Sequence, residues 1–110
     1  MLNLTPHAIT VRTEAGDISL PPSGEIARVA VNATDTGERI LGVPVVSNRM
    51  GPVTGLQRDS QGKICPCIVS TLVLAALPPG TPGVYAPDTG ATAIRDDRGQ
   101  IVAVTRFVTA

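Results

Sequence analysis

Polar side chains that suit a small ligand occur at three places in the sequence. The first is the opening, where Asn3, Thr5 and His7 follow one another at intervals of two residues. An amide, a hydroxyl and an imidazole placed together can recognise an adenine or ribose edge, and the same residue types also form capped turns. The opening therefore predicts either a polar contact for a ligand or a turn at the chain start.

The second place is Ser70-Thr71, between an apolar stretch and a segment rich in leucine and alanine. A serine at such a junction is typical of a helix N-cap, because its hydroxyl accepts a hydrogen bond from a free N–H group of the first turn. Those N–H groups and the helix dipole also favour an anion. The junction therefore predicts a cradle for a phosphate group.

Three arginines are the third set. A guanidinium matches the geometry of a phosphate and makes two hydrogen bonds to it, so these side chains would contribute if they converge on the cradle. A single arginine is more often a solvated surface residue. The candidate ligand-binding residues are Asn3, Thr5, His7, Arg28, Arg49, Ser70, Thr71 and Arg95.

Catalytic and metal sites are poorly supported by the residue types. Ser70 and His7 are a nucleophile and a base, but serine hydrolysis also needs an orienting carboxylate and an oxyanion hole, so we favour the capping role for Ser70. Cys65 and Cys67 project to opposite faces of a strand, which predicts small core residues and no disulfide. With His7 as the only histidine, we expect no metal site, no cofactor and no enzymatic activity.

The elements that must position these residues are organised around the uncharged segment 64–77. Its first six residues favour a buried strand, and the rest favour a helix at about residues 70–77 that Pro78 and Pro79 end. Alternation and turn residues predict a hairpin over 8–20, a strand over 26–31 and a short strand over 84–86. A second hairpin joins 92–95 to 100–108, with the last strand buried on both faces.

Two polar segments that contain glycine, 32–39 and 49–63, are predicted to be loops. The strand-like segment between them carries Pro44, which favours an edge strand or a bulged strand. The predicted fold class is therefore α+β, mainly β: a small twisted antiparallel sheet or barrel with one short helix. At this length the chain suits one domain, residues 1–110.

Composition argues against several kinds of partner. Nine basic and nine acidic side chains cancel, so no overall field attracts nucleic acid, and the only aromatic residues, Tyr85 and Phe107, leave no stacking platform for single-stranded bases. We expect no nucleic-acid partner. The apolar run is too short to span a bilayer and the first residues lack the features of a signal peptide, which predicts an intracellular protein without membrane contact.

Several segments carry a resemblance to known proteins: Asn-Leu-Thr-Pro-His at 3–7, Pro-Pro-Ser-Gly and Ala-Arg-Val between 21 and 29, Ile-Val-Ser at 68–70, and Arg-Asp-Asp-Arg-Gly-Gln-Ile-Val at 95–102. Over nearly its whole length the chain resembles small uncharacterised proteins of bacteriophages, prophages and actinobacteria, which bring no assigned activity. In that pattern an aromatic residue commonly precedes the Val-Ser, where this chain has Cys67-Ile68. The departure weakens a base-stacking role at this point.

The resemblance implies two functions. Small phage proteins without catalytic apparatus include sponges, which sequester the nucleotide-derived signals of bacterial immunity, and virion components. The leading prediction is a phage-encoded sponge in the host-cell cytoplasm that binds a phosphate-bearing nucleotide-type ligand, without catalysis and as a homo-oligomer. The alternative is a virion structural or assembly protein that uses residues 43–46 as an exposed apolar edge.

Overall fold

The computed structural model describes residues 1–110, and it is mainly β with one short helix, which confirms the predicted fold class. The strands form four small sheets that do not close into a barrel. The strands are β1 (Leu2–Asn3), β2 (Ile9–Thr13), β3 (Gly16–Leu20), β4 (Arg28–Ile40), β5 (Val43–Thr54), β6 (Cys67–Ile68), β7 (Val84–Pro87), β8 (Ile94–Arg95), β9 (Ile101–Ala103) and β10 (Phe107–Thr109), and the helix is α1 (Thr71–Ala75).

The central sheet has the strand order β1-β6-β7-β10. Its first three strands are parallel, and only β10 runs antiparallel to β7. The parallel pairs were not predicted from the sequence, whereas the hairpins β2–β3, β4–β5 and β8–β9 are antiparallel as expected. Parallel neighbours require a crossover connection, and α1 supplies it between β6 and β7.

The core lies on one face of the central sheet. Cys67 and Val84 point to this face and pack with Val73 and Leu74 of α1 in a single buried cluster. Cys67 is therefore a small core residue, as predicted, and burial raises the pKa of its thiol, which keeps the group uncharged. Both cysteines are free thiols, with Cys65 only partly buried.

The helix begins where the sequence predicts. The Ser70 hydroxyl accepts a hydrogen bond from the N–H of Val73 at 3.3 Å, so Ser70 is the N-cap. The regular helix ends at Ala75, two residues before the predicted end, because Leu77 already bonds in the tighter i→i+3 pattern and Pro78 cannot continue it. With five residues, α1 is too short to span a membrane.

The C-terminal hairpin is confirmed, but its last strand is not continuous. Gly99 takes a φ of +78° at the predicted turn, and Asp96 Oδ1 accepts the N–H groups of Arg98 and Gln100. The prediction of one strand over 100–108 buried on both faces is wrong. The chain leaves β9 and joins the central sheet as β10, so Val102 stays 45% exposed.

Residues 28–54 form one long hairpin, β4–β5, which we call the arm. The loop predictions for 32–39 and 49–54 are wrong, because these residues belong to strands; 55–63 does remain largely irregular. The arm lies in solvent over most of its length, so its residues lack the apolar alternation by which half-buried strands are recognised. β5 has only β4 as a neighbour, which confirms the edge position of Pro44.

Candidate functional site

An apolar groove of about 470 Å³ lies between the first hairpin and the second face of the central sheet. The sheet provides Ile68, Tyr85, Phe107 and Thr109, the hairpin provides Val11, Ile18 and Leu20, and Met1 completes the lining. Cross-strand register explains the arrangement, since Ile68 pairs with Tyr85 and Tyr85 with Thr109. Pairing partners share a face of the sheet, so the groove is built on the face opposite the core.

Both aromatic residues of the chain line this groove. Tyr85 lies opposite Thr109, and Phe107 stands two residues before Thr109 on the same strand face, so the two rings are diagonal neighbours on adjacent strands. From the sequence, the presence of only two aromatic residues gave no indication that both would line the same groove. The groove therefore combines two aromatic side chains with a mostly aliphatic lining.

The Asn3 side chain forms a hydrogen-bond network at one end of the groove. Its side-chain amide donates to the carbonyl of Leu20 at 3.0 Å and to that of His7 at 2.9 Å. Its Oδ1 accepts the Thr5 N–H at 3.0 Å and the Thr5 hydroxyl at 2.6 Å. These four bonds use both donors and both acceptor sites of the amide. The arrangement is the capped turn that the sequence left open, and Asn3 and Thr5 are buried within it.

His7 is held at this end of the groove through its backbone. Its carbonyl accepts hydrogen bonds from Asn3 and, at 3.0 Å, from the Thr5 hydroxyl. The residue is exposed, and its imidazole makes no hydrogen bond within the chain. The turn that holds His7 therefore also holds the carbonyl of Leu20, a residue of the groove lining.

The carboxyl ends of the parallel strands gather further polar residues. Asn3 pairs with Ile68, and Thr5 and Ser70 each follow two residues later on neighbouring chain segments. The Ser70 hydroxyl is engaged with the first turn of α1, and a helix of five residues has only a small dipole to attract an anion. Thr71 is exposed at the same edge.

The three predicted arginines do not converge. Arg28 lies closest to the carboxyl edge, because the neighbouring Ala27 N–H bonds the Leu4 carbonyl. Arg49 pairs with Asn32 on the arm, four positions beyond Arg28 and therefore about 13 Å further along the strand. The third guanidinium, that of Arg95, lies in hairpin β8–β9 and donates to the carbonyls of Gly99 at 2.7 Å and Thr89 at 3.0 Å.

A basic cleft of about 590 Å³ was not predicted from the sequence. Arg58 and Lys63 line it together with Thr81, at the amino ends of β6 and β7. Arg58 donates to the Gly62 carbonyl at 3.0 Å, and neither cation is in an ion pair with a carboxylate. The sequence signal for this cleft was the pair of cations on either side of the Asp59–Gly62 turn. The segment was predicted only as a loop, so the two cations were not considered together.

The structure does not pair Ser70 with His7, and it shows no cluster of metal-ligating side chains. The Ser70 hydroxyl bonds Val73 rather than His7, and no three His, Cys, Asp or Glu side chains lie close enough to hold a metal ion. Comparison with protein-family models, curated proteins and solved structures finds no match to this chain.

Proposed function

We propose that the chain is a non-enzymatic, phage-encoded sponge that captures a phosphate-bearing nucleotide-type ligand in the cytoplasm of the host cell, with the base of the ligand in the apolar groove. The observation that carries the proposal is that Tyr85 and Phe107 both line this groove. A nucleotide base stacks favourably on aromatic side chains. The groove volume of about 470 Å³ lies within the usual range of ligand pockets, about 300 to 1,000 Å³.

Polar recognition in this proposal comes from the ends of the groove. His7 donates or accepts a hydrogen bond at a base edge or a ribose hydroxyl, while Asn3 and Thr5 hold the turn that positions it. The phosphate extends past Ser70, which follows the groove residue Ile68 by two positions, toward the exposed Thr71 hydroxyl and Arg28. Such a binding mode needs no chemical step and suits sequestration.

The test is calorimetric titration with cyclic nucleotides and ADP-ribose derivatives, preceded by a thermal-shift screen. A ligand at a hundred times its Kd adds about 2.7 kcal/mol to the free energy of unfolding. Phe107→Ala should weaken binding by roughly ten- to a hundredfold, because stacking of a base on an aromatic ring contributes about 1–3 kcal/mol.

Val108→Ala is the matched control. Val108 is the next residue of β10, it is exposed to the same extent as Phe107, and it points to the opposite face. Its substitution should leave the affinity unchanged. Equal effects of the two substitutions, or no thermal shift with any nucleotide at saturation, would exclude the groove as the site.

A sponge also releases its ligand unchanged. After long incubation the complex is denatured, and the released small molecule is analysed by mass spectrometry. Recovery of the intact nucleotide in stoichiometric amount is expected, whereas accumulation of a product that disappears in His7→Ala would show that the protein is an enzyme.

A virion structural or assembly protein is the second candidate, and the arm favours it. Val31, Val43, Val46 and Met50 of the arm are between 43% and 59% exposed, and both strands have a free edge, which is a common docking surface for another chain. Mass spectrometry of purified phage particles tests this function. Absence of the chain from the particles would count against it.

A further inference from the structure

The basic cleft at the amino ends of β6 and β7 presents positive charge without a matching negative group. Arg58 and Lys63 line it, no acidic residue does, and neither cation forms an ion pair. The neighbouring Asp59 turns its carboxylate away from the cleft lining, since its Oδ1 accepts the N–H groups of Gln61 and Lys63. A concave surface lined by one sign of charge concentrates ions of the opposite sign. The cleft therefore favours an anion.

A second turn of the same kind shows which donors of Arg58 are free. The segments 58–62 and 95–99 share the pattern Arg-Asp-X-X-Gly, and in each the arginine Nη1 donates to the glycine carbonyl, at 3.0 Å and 2.7 Å. In the second turn, Arg95 Nη2 also donates to the carbonyl of Thr89 at 3.0 Å. The Arg58 side chain makes only its bond within the turn. Its other N–H groups therefore remain available to a ligand.

Two backbone N–H groups of the cleft lining are also without a partner. Ile64 and Gly83 are partly buried, and neither N–H donates a hydrogen bond within the chain. The two residues are close neighbours, because a Cβ atom at Gly83 would lie 3.2 Å from the Ile64 carbonyl oxygen. Partly buried N–H groups in a concave site commonly bind an anion. The Thr81 hydroxyl, in contrast, already donates to the carbonyl of Pro78 at 2.6 Å.

We infer that the basic cleft binds the phosphate group of a small molecule. A phosphate monoester carries about 1.5 to 2 negative charges at neutral pH and has more acceptor oxygens than a carboxylate. Arg58 offers a fork of donors and Lys63 a point charge, and the N–H groups of Ile64 and Gly83 add two further donors. A carboxylate would already be satisfied by the guanidinium fork alone.

The rest of the ligand has room in the same cleft. Its volume of about 590 Å³ is within the usual range of small-molecule pockets, about 300 to 1,000 Å³. The linings of the cleft and of the apolar groove share no residue. The inference therefore adds a second site and does not depend on the groove as a nucleotide site.

Titration of the isotope-labelled full chain with inorganic phosphate, followed by NMR at constant ionic strength, tests the inference. The amide signals of Ile64 and Gly83 should shift and saturate, whereas sodium acetate at the same concentrations should give no saturable shift. Arg58→Gln should raise the Kd for phosphate by at least about tenfold, because hydrogen bonds between charged groups are lost. Lys63→Gln should also raise it, and the turn stays intact because the Lys63 side chain makes no hydrogen bond within the chain.

Arg95→Gln is the matched control. It removes the same arginine-to-glycine bond from the second turn, but Arg95 does not line the cleft, so the Kd for phosphate should stay unchanged. Phe107→Ala should also leave it unchanged, which separates this site from the groove. The inference would be overturned if the signals of Ile64 and Gly83 did not shift, if acetate shifted them equally, or if either control weakened phosphate binding as much as Arg58→Gln.

Discussion

Replacing Asn3 by alanine tests whether the buried turn organises this part of the fold. The side chain makes four hydrogen bonds, to Thr5 twice and to the carbonyls of His7 and Leu20, and it is 2% exposed. Asn3→Ala removes all four bonds at once. The Thr5 hydroxyl keeps its bond to the His7 carbonyl, but the buried Thr5 N–H is left without a partner.

The expected loss follows from these contacts. A buried donor left unpaired costs about 1–3 kcal/mol, and each further lost bond contributes about 1 kcal/mol or less where water can replace it. The sum is roughly 3 kcal/mol, a large share of the about 5–15 kcal/mol that holds a domain of this size folded. The Tm should fall by on the order of 15 °C.

Urea denaturation measures this change as a shift of the midpoint at constant m. Asn32→Ala is the control, because Asn32 is exposed on the arm and its side chain makes no hydrogen bond. Its free energy of unfolding should change by less than about 0.5 kcal/mol. A loss below about 1 kcal/mol for Asn3→Ala would refute the reasoning, and lost nucleotide binding at unchanged stability would make Asn3 a direct ligand contact.

Three further predictions concern other elements. Ser70→Ala should lower the free energy of unfolding by about 1 kcal/mol, because the first turn loses its cap; Thr71→Ala, measured by the same urea denaturation, should have a smaller effect. Leu41, at the arm tip, has a φ of +51°, so Leu41→Asn should stabilise the arm by about 0.5–1 kcal/mol, and unchanged hydrogen exchange of the arm amides would contradict this. The hydrogen bond from Arg106 Nε at 2.5 Å lowers the pKa of the Asp88 carboxyl. The ionised carboxylate therefore stabilises the fold fully above the ordinary pKa of 3.8. This stabilisation is lost as the pH falls through the lower pKa of the folded state. Asp88→Asn should therefore flatten the acid limb of the stability profile, and an equally steep limb would contradict the assignment.

Local features of the fold could be predicted because they depend on neighbours in the sequence. The Ser70 cap, the Pro78 stop and the Gly99 turn each act within a few residues, so residue type alone determined them. The same holds for hairpin β2–β3, whose alternating residues flank a short turn. The predicted ends of helices and strands differ from the observed ends where packing decides how far the element continues.

The length of the arm and the pairing of its two strands were missed for a different physical reason. Strand prediction relies on the contrast between a buried and an exposed face, and the outer arm buries neither face within the chain. Its cross-strand hydrogen bonds can be formed by polar residues as readily as by apolar ones. The pairing of 32–39 with residues beyond 42 therefore left no signal in the composition of that segment.

The candidate site divides in the same way. The sequence by itself determined the reactive groups that are available, the capped junction at Ser70 and the polar opening around Asn3. Only the tertiary structure decided that Tyr85 and Phe107 line the same groove. It also decided that the Asn3 amide bonds the carbonyls of His7 and Leu20. Finally, it decided that Arg49 and Arg95 lie apart. Residue type and short-range spacing can be read directly from the sequence. Strand order and register bring distant residues together, and they depend on packing throughout the domain.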